Sequence, residues 1–374
     1  MKITLNKEAF SNGIKIVEKS TAQKGIQPVL SNILIETVAN DKIRFCATDL
    51  NQSITLDLKA EVEKEGKITL GARKLNEIAS RLQDKPIVIT VDEDTNIVSL
   101  VCDKSKFEMN SIGAEEYLQI FKDNEIEDEN EKIFEINKDI FNKAIKQTMY
   151  CCAQSESASI LGGVCVNIGE NTLEVAATDG NRLTRVIKAV NSKSQEGTFI
   201  IPLKTLQEIA RISSIVEDEN IIIKIKKSKI YFLFNNLKFS SKLIEGTYPK
   251  YQQLIPTTND KKIKINREKL INSIERVAIM VNERTNIIKF MFEENNLIIK
   301  ADAPEAGVGS DELEIDYNYE DIVVAFNYKY VLEALKNMET ENIVVEIATS
   351  LSATIFKPEN NDEQVCLIMP VQVR

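Results

Sequence analysis

The stretch LNKEAFSNGI, Leu5 to Ile14, decides the fold because the chain writes it three times. It returns as INKDIFNKAI at Ile136–Ile145 and as INREKLINSI at Ile265–Ile274, spacings of 131 and 129 residues. In each copy an Asn (Asn6, Asn137, Asn266) stands ready as an N-cap, with an acid close behind it. Phe10, Ile14 and Val17 fall at i, i+4 and i+7, the spacing of one buried helical face. Phe141, Ile145 and Met149 repeat it, as do Leu270, Ile274 and Val277. A period near 130 residues lies far outside the ~20–50 of stacked solenoid modules, so the repeated unit is a whole domain.

Other echoes keep the same period. CATDLNQSITL from Cys46 is answered by AATDGNRLTRV from Ala176, which aligns Thr48 and Asp49 with Thr178 and Asp179. ARKLNEIASRL from Ala72 is answered by PLKTLQEIARI from Pro202 and NYKYVLEALKN from Asn327, and Tyr117 lies 131 residues before Tyr248. In each unit a short alternating strand enters the first helix. Three or four alternating strands, a second helix and three more strands follow. Two helices against many antiparallel strands predict an α+β layer. The expected domains are residues 1–121, 131–255 and 262–374. Their joints are the acidic run KDNEIEDENE (Lys122–Glu131) and the stretch PTTNDKK, which opens with the helix-breaking Pro256.

Composition bounds the function. The chain has 374 residues, 43% hydrophobic and 28% charged, which suits two to three soluble globular domains. Its longest clearly apolar runs, such as IYFLF at Ile230–Phe234, are strand length. They fall far short of the roughly 18 residues of a membrane span. The start, MKITLNKEAF, lacks the apolar core of a signal peptide, so the cytoplasm is the expected location. Cys46, Cys102 and Cys165 sit in apolar alternating segments, where a thiol behaves as a small hydrophobe. Cys151 and Cys152 are adjacent, which suits neither a disulfide nor a zinc ligand pair.

There is no histidine. That excludes Ser-His-Asp and Cys-His catalysis and the usual histidine-containing zinc sites. No catalytic residue, cofactor or metal is expected. Two rivals are weighed: a repeat enzyme using Asp49 and Asp179 as acids, and a repeat scaffold that binds no nucleic acid. Each of those aspartates ends a strand, where capping a turn is the commoner role.

The net charge of −10 argues at first against a nucleic-acid partner, but its distribution does not. The predicted helices span 7–19, 73–82, 138–149, 204–211, 267–280 and 329–336. Every one is positive, together +8, which leaves −18 on the rest of the chain. Six positive helices in an acidic protein suit a surface that meets a polyanion weakly and without base reading.

Several segments then carry a resemblance: MKIT at the start, LSNILIE from Leu30, AATDGNRL from Ala176, SSKLIEGTYPKY from Ser240 and IMPVQVR at the end. Over its whole length the chain resembles the bacterial sliding clamps, the beta subunits of DNA polymerase III. The resemblance implies three similar domains per chain and a six-domain ring of two chains head-to-tail, with the helices lining a hole for duplex DNA. It implies no catalysis, and these partners: double-stranded DNA without sequence preference, the polymerase III alpha subunit, the clamp loader, other proteins carrying the clamp-binding motif, and a second copy of the chain.

Position by position, the resemblance also implies a pocket for partner peptides, walled by Leu161, Thr178, Gly180, Asn181, Arg182, Leu183, Pro249 and Leu254. Leu351, Leu367, Met369, Pro370 and Val371 complete it. Asn181 stands where relatives often carry His and Gln253 where Arg is common. Ser159 and Ile160 replace a tyrosine pair, and Arg374 extends the tail by one residue. The DNA-contact candidates are Lys24 and Lys204, by resemblance, with Arg73, Arg81, Lys146 and Arg211 from helix position and charge. Phe107 and Met109 alternate on a predicted edge strand and are expected to pack on Ile279 and Met280 of the partner subunit.

Overall fold

The Asn6 side chain accepts hydrogen bonds from the N–H groups of Glu8 (2.8 Å) and Ala9 (3.2 Å) and so starts the first helix where the sequence places it. Asn266 caps its helix through Lys269 N–H at 3.0 Å, the same device in the third copy. The computed structural model describes residues 1–22, 27–92, 95–118, 120, 132–154, 159–190, 196–303 and 307–372. The linker Lys122–Glu131, the DNA-contact candidate Lys24 and the terminal Arg374 lie outside the described residues.

Six α-helices occur among the described residues, two per repeat: α1 (Lys7–Glu18), α2 (Ala72–Ala79), α3 (Lys138–Lys146), α4 (Leu203–Ser213), α5 (Arg267–Ala278) and α6 (Tyr328–Lys336). The i, i+4, i+7 faces are buried in α1 and α5. In the second copy the expectation fails at its last position. α3 ends at Lys146, because the Thr148 hydroxyl donates back to the carbonyls of Ala144 (3.0 Å) and Ile145 (3.1 Å). Met149 therefore begins a separate 3-10 turn.

Backbone packing divides the chain into two units that do not follow the repeat boundaries. The first comprises residues 1–138, 193–195 and 207–243, and the second residues 139–192, 196–206 and 244–374. In the first unit a five-stranded antiparallel sheet runs in the order Glu61–Lys64, Lys2–Leu5, Ile87–Asp92, Ile97–Cys102, Ser105–Asn110. An eight-stranded sheet runs Lys132–Asn137, Asn220–Lys226, Lys229–Leu233, Leu237–Lys242, Gln52–Lys59, Lys42–Thr48, Asn32–Ala39, Lys67–Gly71. That sheet crosses a repeat boundary at the pair of strands holding Phe239 and Ile54. Phe10 of α1 meets Phe45 edge-on with ring centroids 6.0 Å apart.

The second unit repeats the arrangement. Its eight strands run Gly197–Pro202, Gly163–Ile168, Thr172–Thr178, Arg182–Ala189, Gln364–Ile368, Thr354–Pro358, Asn342–Ile347, Lys261–Asn266. Here the boundary is crossed where Leu183 pairs with Leu367. A four-stranded sheet runs Gly307–Glu314, Asn296–Ala303, Ile287–Glu293, Ile322–Asn327. Beneath it Phe290, Phe326 and Phe356 stack edge-on in a core that also takes in Leu270, Ile274 and Val331.

Candidate functional site

The turn from Thr178 to Arg182 is built by its own side chains. Asp179 Oδ1 accepts the N–H groups of Asn181 (2.9 Å) and Arg182 (3.1 Å). The Thr178 hydroxyl donates to Arg182 O at 2.6 Å and accepts Gly180 N–H at 3.1 Å. Gly180 has φ +92°, and a Cβ there would meet nothing within 4 Å, so backbone conformation alone calls for glycine. The first copy makes the same turn: Asp49 Oδ1 accepts from Asn51 (3.0 Å) and Gln52 (2.8 Å), with Leu50 at φ +72°. Both aspartates cap their turns, the role expected of an Asp that ends a strand.

The strand leaving this turn delivers the apolar wall. Leu183 and Leu367 face each other across the strand pair and join Cys165, Tyr248 and Tyr251 in one buried cluster. Leu161, Ile160, Ile255 and Ala353 pack against it from partly exposed positions. The Tyr248 hydroxyl accepts Thr178 N–H at 3.1 Å and fixes the turn from below, and Ser159 Oγ caps the short turn that presents Leu161. Burial pushes the Cys165 thiol up to about 11 and the Cys152 thiol up to about 12.

Beyond Ile368 the tail is tied down twice, by Met369 N–H to Asn181 O (2.9 Å) and Val371 N–H to Ala325 O (2.8 Å). Thr354 pairs with Ile368, so Leu351, just ahead of Thr354, and Met369 emerge at the same end of the sheet as the Asp179–Arg182 turn. Leu254, Leu351 and Met369 remain 56%, 58% and 42% exposed, large apolar side chains spent on solvent. Pro249, Gly180 and Asn181 are exposed, and Pro370 and Val371 half-buried.

Arg182 differs from the other expected wall residues. It is 8% exposed and its guanidinium is engaged on every side. Nε donates to Asp179 (3.0 Å), Nη1 to Glu333 and Nη2 to Tyr150 O (2.7 Å), and the group lies 4.3 Å from the Tyr330 ring centroid. Sequence reading missed Tyr150, Tyr330 and Glu333, which stand on other elements and share no motif with the turn.

The DNA-contact candidates are spread over several elements. Arg73 is almost fully exposed and lies 3.5 Å from Glu77. Arg81, Lys146 and Lys204 are exposed. Lys146 borders a groove of about 350 Å³ shared with Asn142, Lys143, Gln147 and Lys336. Arg211 is placed otherwise. Its guanidinium binds Glu208 (2.9 and 2.7 Å) and the α1 carbonyls of Lys15 (3.2 Å) and Ile16 (2.8 Å), so it ties α4 to the C-terminal end of α1.

Phe107 and Met109 lie on Ser105–Asn110, the outer strand of the five-stranded sheet, with one edge unpaired among the described residues. In the second unit Ile279 is 79% exposed at the end of α5. Met280 packs onto the core, where its Cγ would stand 2.9 Å from a Cβ on Gly309 of the edge strand Gly307–Glu314. No group of three or more metal-ligating side chains occurs among the described residues, and no helix there is long and apolar enough to cross a membrane.

Comparisons with known proteins cover the chain almost end to end. Residues 1–120 match the N-terminal domain of the DNA polymerase III beta subunit, 135–250 its central domain and 252–372 its C-terminal domain. The chain is 26% identical to the beta sliding clamp of Synechocystis sp. over 394 residues, covering all of both, and 28% identical to that of Chlamydia trachomatis, covering all of this chain and 87% of the other. Among solved structures it is similar to the Bacillus subtilis DNA polymerase sliding clamp (TM-score 0.91, 26% identity). It is equally similar to the Pseudomonas aeruginosa clamp bound to griselimycin (TM-score 0.92, 26% identity), each covered in full.

Proposed function

This chain belongs to the DNA polymerase III beta subunit family, the bacterial sliding clamps, and on that premise we propose how it closes, what it holds and what docks on it. It is a DNA sliding clamp, a processivity factor. Such a protein needs no catalytic group, cofactor or metal. A tether raises the local concentration of polymerase at the template, so a weak contact suffices for long synthesis. Its place is the cytoplasm, with the chromosome.

Closure follows from the repeat. Twice, the last strand of one copy adds to the hairpin strand of the copy before it: Leu237–Lys242 onto Gln52–Lys59, and Gln364–Ile368 onto Arg182–Ala189. Among the described residues the same rule leaves one strand of each kind without a mate, Ser105–Asn110 of the first copy and Gly307–Glu314 of the third. A second chain, head-to-tail, satisfies both edges, and a second identical joint closes the ring. These two unpaired edges are the observation that carries the proposal. Phe107 is the counterpart of Phe239, and Gly309 that of Ile54, so the partner subunit's Phe107 stacks on Gly309 beside Met280 and Ile279. Ile279→Asp with Met280→Asp gives folded monomers by sedimentation. An unchanged dimer would remove this joint.

Duplex DNA passes through the hole and meets Arg73, Arg81, Lys146, Lys204 and Lys24 as phosphate contacts without base preference. Arg211 serves them by holding α4. Loaded on a nicked circle, the protein is retained and then lost when the circle is cut; equal loss from circular and linear DNA would refute encirclement. The apolar patch around Leu183, Leu367 and Met369 takes short peptides with Leu and Phe anchors from the polymerase alpha subunit, the clamp loader and other motif-bearing proteins. Deleting Met369–Arg374 abolishes binding of a Gln-Leu-x-Leu-Phe peptide by calorimetry while the dimer persists.

A further inference from the structure

Among the pocket residues, Arg182 has the wrong environment for a ligand contact. Each of its three guanidinium nitrogens donates to its own partner, the Asp179 carboxylate, the Glu333 carboxylate and the Tyr150 carbonyl, and the planar group lies 4.3 Å from the Tyr330 ring centroid and 5.5 Å from that of Tyr150. Its backbone belongs to the turn itself: its N–H binds Asp179 and its carbonyl accepts from Thr178. Glu333 stands on α6, in the third copy, with its side chain about half exposed. One side chain therefore connects the Gly180–Asn181 turn of the second copy to a helix of the third.

We propose that Arg182, Glu333 and Tyr330 form a strut that positions the pocket turn, and that Arg182 acts on partner peptides only through that turn. The proposal rests on reading this patch as the peptide site. Gly180 and Asn181 carry the exposed face of the turn, and Asn181 O also anchors Met369. Releasing the strut lets the turn and the Met369 main chain move together, so both sides of the mouth lose their spacing. Lys cannot replace Arg182, since a single ammonium cannot reach three partners set in a planar fork.

The test is a double-mutant cycle on the full-length dimer, reading affinity for the Gln-Leu-x-Leu-Phe peptide and hydrogen exchange of residues 178–183 without peptide. Glu333→Ala, on an exposed helix face, is expected to weaken the peptide about five- to tenfold and to speed exchange in the turn. Arg182→Ala weakens it further, Arg182→Lys fails to restore it, and the double variant is no worse than Arg182→Ala alone. Additive losses, or rescue by Lys, would make Arg182 a direct ligand contact and overturn the strut. Unchanged exchange in Glu333→Ala would overturn it too. A wild-type dimer that ignores the peptide would instead sink the pocket reading, and the strut with it.

Discussion

Leu50 and Gly180 occupy the same place in two copies of one turn, and both hold positive φ, +72° and +92°. For leucine that region costs about 1 kcal/mol or more, because Cβ crowds the following carbonyl. Leu50→Gly is expected to stabilise the protein by about 0.5–1 kcal/mol in urea titration, a gain reduced by the freedom glycine adds to the unfolded chain. Gly180→Ala should cost about 1 kcal/mol with no clash behind it, since the space around its Cβ is empty. Opposite signs at equivalent positions are the measurement. The capping aspartates were legible in the sequence, because a polar residue ending a strand before a Gly or Asn commonly bonds its own backbone. The partners of Arg182 were not: Tyr150 and Glu333 lie 32 and 151 residues away, and no local pattern reports such distances.

The helices were legible as elements. Six are expected and six occur among the described residues, because apolar spacing and the Asn caps act within a few residues of each other. α3 stopped short, since a threonine back-bond to the last turn has no signature in apolar periodicity. At the same scale, Asp311 on the edge strand Gly307–Glu314 pairs with Arg276 of α5 at 2.5 Å. Burial is the largest single influence and by itself would raise the Asp311 carboxyl, but the hydrogen bonds it accepts, the one from Arg276 first among them, together with the Arg276 charge outweigh it and hold the group below its ordinary 3.8. The unfolded chain thus takes up this proton first as pH falls, and the stabilisation, present above 3.8, disappears on acidification below it. Asp311→Asn should cost a few tenths to about 1 kcal/mol at pH 7, the range of a part-exposed pair, and progressively less as the pH falls below 3.8. Thermal unfolding across that window checks both ends.

For the whole molecule, the threefold period was plain in the sequence, while the strand pairing across repeat boundaries was not, because hydrogen-bonded partners lie as far apart as Arg182 and Ile368. The proposed domains are consequently poor fragments. Residues 1–255 would leave the edge beside Leu183 and Val186 bare, and their counterpart Gln364–Ile368, buried along its whole length, would be exposed in residues 262–374. Both fragments are expected to aggregate in gel filtration, and mixing them to restore a soluble species. The two internal joints also differ in polarity. Ser53 faces Ser240 where Leu183 faces Leu367, and Gln52 faces Ser241 where Arg182 faces Ile368. Calorimetry should therefore count one peptide per chain, with the serine-lined joint unoccupied.

The pairing of Leu183 with Leu367 carries a consequence for synthesis. The first half of the proposed docking surface leaves the ribosome about 180 residues before the second, roughly 10 to 40 s at bacterial elongation rates. A nascent chain can fold its early copies and still present no partner with a place to bind. On the proposed reading, any premature stop or frameshift upstream of Gln364 erases peptide recognition along with the strand Gln364–Ile368, so recruitment itself reports that translation passed that strand.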